Sequence, residues 1–202
     1  MEVIIKMGYW SGKGNGKGFY KRSCKDIKRF CGWNKIRKIY MASPDSETRL
    51  LVLTLIKTGG RISEVLDYTR DMFVLTTEFI RVYGLPVYKQ HKNKSTGKKK
   101  KVFRNISIRR DEEMSAEFEE ELNTVKDKLF SFKYSTAYKR IVKLDKDIFC
   151  HWFRGMRASQ LAMEYRFGFG RLMRYFDWSE PETPLHYAKM DLIDLEKAMV
   201  RV

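Results

Sequence analysis

Cysteine is scarce. The three residues present, Cys24, Cys31 and Cys150, give an odd count without paired CxxC spacing. That argues against a disulfide framework and against a zinc site, and it fits a reducing cytoplasm. No apolar stretch reaches transmembrane length, and the opening MEVIIKMGYW is too short and too polar for a secretory signal. No internal repeat is visible. The segment SGKGNGKGFYKR (11–22) has the glycines of a phosphate-binding loop. It follows no convincing βαβ unit, however, and lacks the Walker GK[ST] ending. Carboxylates do not gather into a cluster suited to a metal, so neither a metal nor another cofactor is implied. These absences describe a soluble, intracellular protein.

Acidic residues are also in short supply relative to basic ones. Lys and Arg number 41 against 25 Asp and Glu, a formal net charge of +16 over 202 residues. Solubility alone does not need so much, which makes a polyanion the expected partner, nucleic acid ahead of a membrane surface. The excess is local. Residues 1–40 hold eleven basic residues against Glu2 and Asp26, residues 89–110 hold ten and no acid, and the remainder is close to neutral. Two concentrated basic features suit docking onto a phosphate backbone.

The length allows one main domain with a proper core and a small extension. Residues 1–40 read as a basic arm, with Lys13 and Lys17 as candidate DNA contacts and 41–202 as the folded domain. Aromatic residues (Tyr9, Trp10, Phe19, Tyr20, Trp33) are interleaved with the arm's bases, as stacking or groove contact requires. A solubilising tail lying over the core reads equally well. Ser43-Pro44-Asp45-Ser46-Glu47 opens a helix that runs through the apolar LLVLTLI to Gly59-Gly60, and a short helix starts near Arg61. FVLTTEFIRVY, LPVYKQ and VFRNISI read as three strands. HKNKSTGKKKK (91–101) becomes a hairpin tip with Lys98, Lys99, Lys100 and Lys101 as nonspecific phosphate contacts. The stretch 111–132 reads as a helix with an acidic first turn, and helices follow around 134–145, 151–165, 169–177 and 181–201. The expected class is α+β, mostly helical, with a small three-stranded antiparallel sheet.

Two further stretches carry possible chemistry. His151 and Arg154 in CHWFRGMRASQLAME share one helix face, one turn apart. Trp178 and Tyr187 lie nine apart around a proline-bracketed turn in YFDWSEPETPLHYAKM. Each feature alone has a plain explanation: a glycine cap with a surface charge, a solvated arginine, core aromatics.

Taken in order and spacing, Arg61 in TGGRISEVL, a lysine-bearing hairpin, His151-x-x-Arg154, Trp178 and Tyr187 resemble the catalytic set of the tyrosine recombinases, the phage-type integrases. The likeness spans roughly residues 43–190. The family's first box falls on Thr58, Gly59-Gly60, Arg61, Ser63 and Glu64, its second on His151, Arg154 and Ala158-Ser159, its third on Asp177-Trp178 leading to Tyr187. Departures are Gly60 where leucine is common, Gly155-Met156 in place of His-Thr, Asp177 at the usual glycine, and Trp178 for the more frequent histidine. Family members also carry a helical core-binding domain of about a hundred residues, where forty basic residues stand here.

The resemblance implies a site-specific recombinase or integrase that acts on double-stranded DNA without metal or ATP, as a tetramer on two sites. Arg61 and Arg154 would clamp a phosphate, and Glu64 would hold Arg61 or the histidine. His151 would assist proton transfer, Lys92 or Lys94 would be the general acid, Trp178 would donate its indole N–H, and Tyr187 would be the nucleophile. The FDWSEPETPLHY wording resembles archaeal or archaeal-virus members more than enterobacterial ones, implying the cytoplasm of a prokaryotic host and a virus or plasmid origin. The alternatives are a type IB-like topoisomerase or resolvase, a catalytically idle DNA-binding descendant, and an RNA-binding protein resting on charge and aromatics alone.

Overall fold

The computed structural model describes residues 30–88, 102–180 and 183–184. Seven α-helices and one sheet lie among them: α1 (Trp33–Met41), α2 (Ser46–Thr58), α3 (Ile62–Val65), β1 (Phe73–Leu75), β2 (Phe79–Val87), β3 (Val102–Arg109), α4 (Ser115–Asn123), α5 (Tyr134–Leu144), α6 (Cys150–Met163) and α7 (Phe169–Phe176). The sheet is three-stranded and antiparallel in the order β1-β2-β3. The α+β, mostly helical class is what the chain adopts.

α2 is the axis of the core. Asp45 caps it by accepting from the Thr48 N–H at 2.8 Å, which satisfies an otherwise orphaned first-turn donor. From Leu50 to Thr58 every residue is buried, the pattern of a helix surrounded on all sides. Its hydroxyls stay satisfied inside the helix: Thr54 and Thr58 donate to the carbonyls four residues back at 2.7 and 2.6 Å. α6, almost wholly buried from Cys150 to Ala162, packs on it, as do α1, α4 and α5.

α1 spans the expected arm boundary at residue 41. Trp33, Ile36 and Ile39 are buried in the common core, so this helix packs as part of the folded domain. Arg37 on its outer side is met by acids of α4 and the segment just before it, donating to Glu117 at 2.8 Å and to Glu113 at 3.3 Å.

The strands differ in segmentation from the sequence reading. The first break falls at Thr76, whose N–H donates to the Phe79 carbonyl at 2.8 Å, and splits FVLTTEFIRVY. Gly84, by contrast, does not end a strand. It takes φ 67° in a bulge between Val82 and Leu85, and its N–H donates to Asn105 Oδ1 at 2.8 Å. A bulge absorbs the extra residue while pairing resumes at Leu85.

The helix expected over 111–132 is shorter, Ser115–Asn123. Beyond it the backbone finds partners in the 68–70 segment. Leu129 N–H donates to Tyr68 O at 3.1 Å and Arg70 N–H to Asp127 O at 2.7 Å, while Leu129 and Phe130 are buried. Tertiary pairing displaces the helix there.

A polar cluster ties the core together beneath α2. Lys57 Nζ donates to Glu112 at 3.2 Å, to the Glu113 carbonyl at 2.6 Å and to Ser115 at 2.9 Å. Arg157 donates to the same Glu112 oxygen at 2.6 Å and to Gln160 at 2.7 Å. Burial, with Arg157 nearby, pulls the Lys57 ammonium down to about 8 despite Glu112. Burial pushes the Glu112 carboxyl up, but the two cations outweigh it and hold it below its ordinary value.

Candidate functional site

Four element ends meet at one place: the C-terminus of α2, the N-terminus of α3, the N-terminus of α6 and the C-terminus of α7. The geometry starts with two glycines. Gly59 closes α2 in the left-handed conformation, φ 60°, which a side chain disfavours. A Cβ there would lie 2.5 Å from Phe176 Cε1, and one on Gly60 would lie 2.5 Å from the Tyr68 hydroxyl and 2.6 Å from Val65 Cγ2. The break therefore requires both glycines, one for its dihedral and its neighbour, the other for space.

Arg61 follows at the cap of α3. Its side chain is 31% exposed and its Nη1 donates to Glu64 Oε1 at 2.8 Å, while its own N–H donates to Glu64 Oε2 at 3.0 Å. Glu64 is buried and also accepts the Tyr88 N–H at 3.2 Å, just where the chain leaves β2. Burial raises the Glu64 carboxyl, but the Arg61 charge, the Arg61 N–H and Arg154 together hold it below its ordinary value. One ionised carboxylate thus fixes Arg61 in backbone and side chain.

His151 is the second residue of α6. Burial, then the charges of Arg154 and Arg61, push its pKa down to about 4, against a weaker opposing pull from Glu64. The imidazole is neutral at pH 7 and able to accept a proton. One turn on, Arg154 is 1% exposed; its Nη1 donates to Gly59 O at 2.7 Å and its Nη2 to Phe176 O at 2.9 Å. It stands over the Phe176 ring at 4.7 Å and the Trp178 ring at 5.6 Å, and those two rings stack at 4.5 Å. Asp177 turns the chain out of α7 in the left-handed region, φ 52°.

Arg61, Glu64, His151, Arg154 and Trp178 are thus gathered at one junction: two guanidiniums, one carboxylate, a neutral imidazole and an indole. Such a set can bind an anionic oxygen-rich group at the partly exposed Arg61, with the buried Arg154 charge beneath it, and accept a proton beside it. Cys150, next in sequence, is no nucleophile, since burial pushes its thiol up to about 12. Lys92, Lys94, Lys98, Lys99, Lys100, Lys101 and Tyr187, like Lys13 and Lys17 of the arm, lie outside the described residues.

No family model matches the chain, and no curated protein matches it. Solved structures do. XerA recombinase superposes with a TM-score of 0.59 at 15% identity, over 87% of this chain and 65% of that one. XerH site-specific recombinase bound to its difH substrate, in a pre-cleavage complex, gives 0.58 at 17%, over 91% of this chain and 57% of that one. The Tn1549 transposon integrase in complex with a circular intermediate DNA gives 0.57 at 16%, over 87% and 66%. The fold is that of the tyrosine recombinases. This chain spans between 57% and 66% of the length of these three structures.

Within that tyrosine-recombinase fold, sequence reasoning missed two participants. Phe176 forms the ring floor between Arg154 and Trp178 and fills the space a side chain on Gly59 would need. Arg104 on β3 is 5% exposed, with Nη1 on Tyr175 O at 2.6 Å and Nη2 on Thr58 O at 3.0 Å. A signal was present in the strand: Arg104 alternates in phase with the buried Ile106 and Ile108, so strict period-2 reading puts it on the core face. Counting it with the basic run hid that.

Proposed function

We propose that this chain is a DNA strand transferase of the tyrosine-recombinase kind, cutting and rejoining DNA through a 3′-phosphotyrosine on Tyr187. The observation supporting this is the junction itself. Five candidate residues from three separate stretches of the sequence meet there, on a fold shared with recombinases solved on DNA.

A phosphodiester resists attack because its anionic oxygens repel nucleophiles. Arg61, partly exposed and braced by Glu64, binds a non-bridging oxygen, and Arg154 adds a second positive charge from beneath, so the charge of the transition state is met by groups already in place. Tyr187 attacks phosphorus and the bond from phosphorus to the 5′-oxygen breaks. A phenol titrates near pH ~10, so His151, neutral at pH 7, takes the tyrosine proton. Lys92 or Lys94 gives a proton to the departing 5′-oxygen, and the Trp178 indole N–H donates to a phosphate oxygen. The covalent link conserves the bond energy, so a 5′-hydroxyl from a second duplex can reverse the step without ATP. Charge work that a metal ion does in other phosphoryl transfers falls to the arginines. Exchange of strands between two sites uses four copies of this chain.

The test uses supercoiled plasmid carrying DNA of the genetic element that encodes the chain, incubated in EDTA with wild type or Tyr187→Phe. Relaxation and an SDS-stable protein–DNA adduct are expected from wild type, and neither from the variant. An adduct that survives in the variant would refute Tyr187 as nucleophile. Binding without any adduct, also on a nicked suicide substrate, would favour the idle DNA-binding descendant. Relaxation without exchange between two sites would favour the topoisomerase.

A further inference from the structure

Arg104 and Arg154 form a matched pair. They come from different elements, β3 and α6, yet each guanidinium bridges the same two helix ends. Arg154 holds Gly59 O and Phe176 O, and Arg104 holds the carbonyls one residue earlier, Thr58 O and Tyr175 O. Both stand beside the Phe176 ring, at 4.7 Å for Arg154 and 6.0 Å for Arg104. Two pairs of consecutive carbonyls, one pair from each helix terminus, are thus captured by two planar forks.

The energetics explain why arginines belong there. The last carbonyls of a helix have no intrahelical donor and carry the negative end of its dipole. Here two such ends, of α2 and α7, face one another, which is repulsive unless a cation lies between them. A guanidinium presents parallel N–H groups that satisfy one carbonyl from each. Burying Arg104 is costly. It forms no ion pair among the described residues, and its Nε is buried without a hydrogen-bond partner there. A residue selected only to stabilise the core would be apolar at this position, as Ile106 and Ile108 are. What Arg104 holds leads directly to the site. Thr58 precedes the glycine break that delivers Arg61, and Tyr175 precedes the turn that delivers Trp178.

We infer that Arg104 is a positioning residue for the strand-transfer site, locking the α2 and α7 termini in register so that Arg61 and Trp178 face one phosphate. This rests on the function proposed above. Arg104 itself does not touch the reacting atoms; it acts through the backbone it clips.

The experiment has two arms, on the full chain, with Arg104→Met, Arg104→Lys and Arg104→Gln. The first arm is independent of activity. Amide hydrogen exchange is expected to quicken in Arg104→Met over residues 57–66 and 172–180 together, with α1, α4 and α5 unchanged and cooperative melting retained. Should Arg104→Met fail to fold, the Lys and Gln variants carry the comparison. Uniform acceleration across the core, or no change in the two segments, would overturn the inference. The second arm follows adduct formation on a nicked suicide substrate with protein in excess. Arg104→Met is expected to retain DNA binding while forming adduct about a hundredfold more slowly, the scale of a small misplacement. Arg104→Lys should be intermediate, and sub-denaturing guanidinium should partly restore the Met variant. An unchanged adduct rate, or weakened DNA binding that accounts for the whole loss, counts against Arg104. A wild type that forms no adduct would instead sink the strand-transfer reading, and the exchange arm would still decide whether Arg104 couples the two segments.

Discussion

At the scale of single residues, burial decides what His151 can do. Its pKa of about 4 lies below the ordinary 6.5 because burial and two arginines disfavour the imidazolium. On acidification the unfolded chain therefore takes up the proton first. Stability linked to His151 is present above about pH 6.5 and is lost as pH falls toward about 4, on the order of 3 kcal/mol in full. Urea unfolding of wild type and His151→Gln between pH 7 and pH 4 reads this directly, since the shared carboxylate titrations cancel in the difference. The wild-type advantage should shrink with falling pH. An advantage that stays constant would mean the histidine titrates normally.

Among the elements, the buried cluster below α2 carries the sharpest expectation. Glu112 accepts from both Lys57 and Arg157 in the core. Glu112→Gln leaves two buried cations without a carboxylate, and the expected loss is about 3–5 kcal/mol, read as a lower urea midpoint with little change in slope. This scale also separates what the sequence discloses from what it hides. α2 was legible because a cap, an apolar run and a glycine stop agree. The sheet's existence was legible too, from β-branched residues in alternation. α1 was not, because its Trp33, Ile36 and Ile39 stand among basic residues whose acidic partners are far along the chain, Glu117 for Arg37 and Asp145 for Lys35. The tail of the expected 111–132 helix failed for a related reason: its backbone partners at Tyr68 and Arg70 are nonlocal. The site followed the same rule. Arg61, His151 and Trp178 were visible as spaced motifs; the alternation of β3 put Arg104 on the core face without disclosing the carbonyls it holds, and Phe176 acts through ring contacts that leave no spacing to read.

For the whole molecule, charge is divided between two regimes. Several cations outside the two basic stretches are balanced within the folded part, as Arg49 is by Glu121, Arg140 by Asp45 and Arg157 by Glu112. The surplus of the sequence is concentrated in residues 1–40 and 89–110. If these stretches meet the phosphate backbone, each contacting lysine displaces about one counterion. Replacing Lys98, Lys99, Lys100 and Lys101 together by alanine should flatten the plot of log affinity against log salt by about 3–4 units, measured by fluorescence anisotropy on a duplex. An unchanged slope would show that these lysines do not touch DNA. None of the core contacts described above involves these four lysines, so the folded fraction of the variant should match wild type.

The Phe176 ring occupies the space that a side chain on Gly59 would claim. In evolutionary terms the two positions share one volume: the chain stores part of residue 59's environment in a distant codon. Substitution at either site is then read against the other. A lineage that shrinks Phe176 gains room at 59 but still meets the left-handed dihedral, whereas one that enlarges 59 first meets both barriers at once. The order in which such changes can accumulate is therefore directional, and the glycine is the last of the two free to drift.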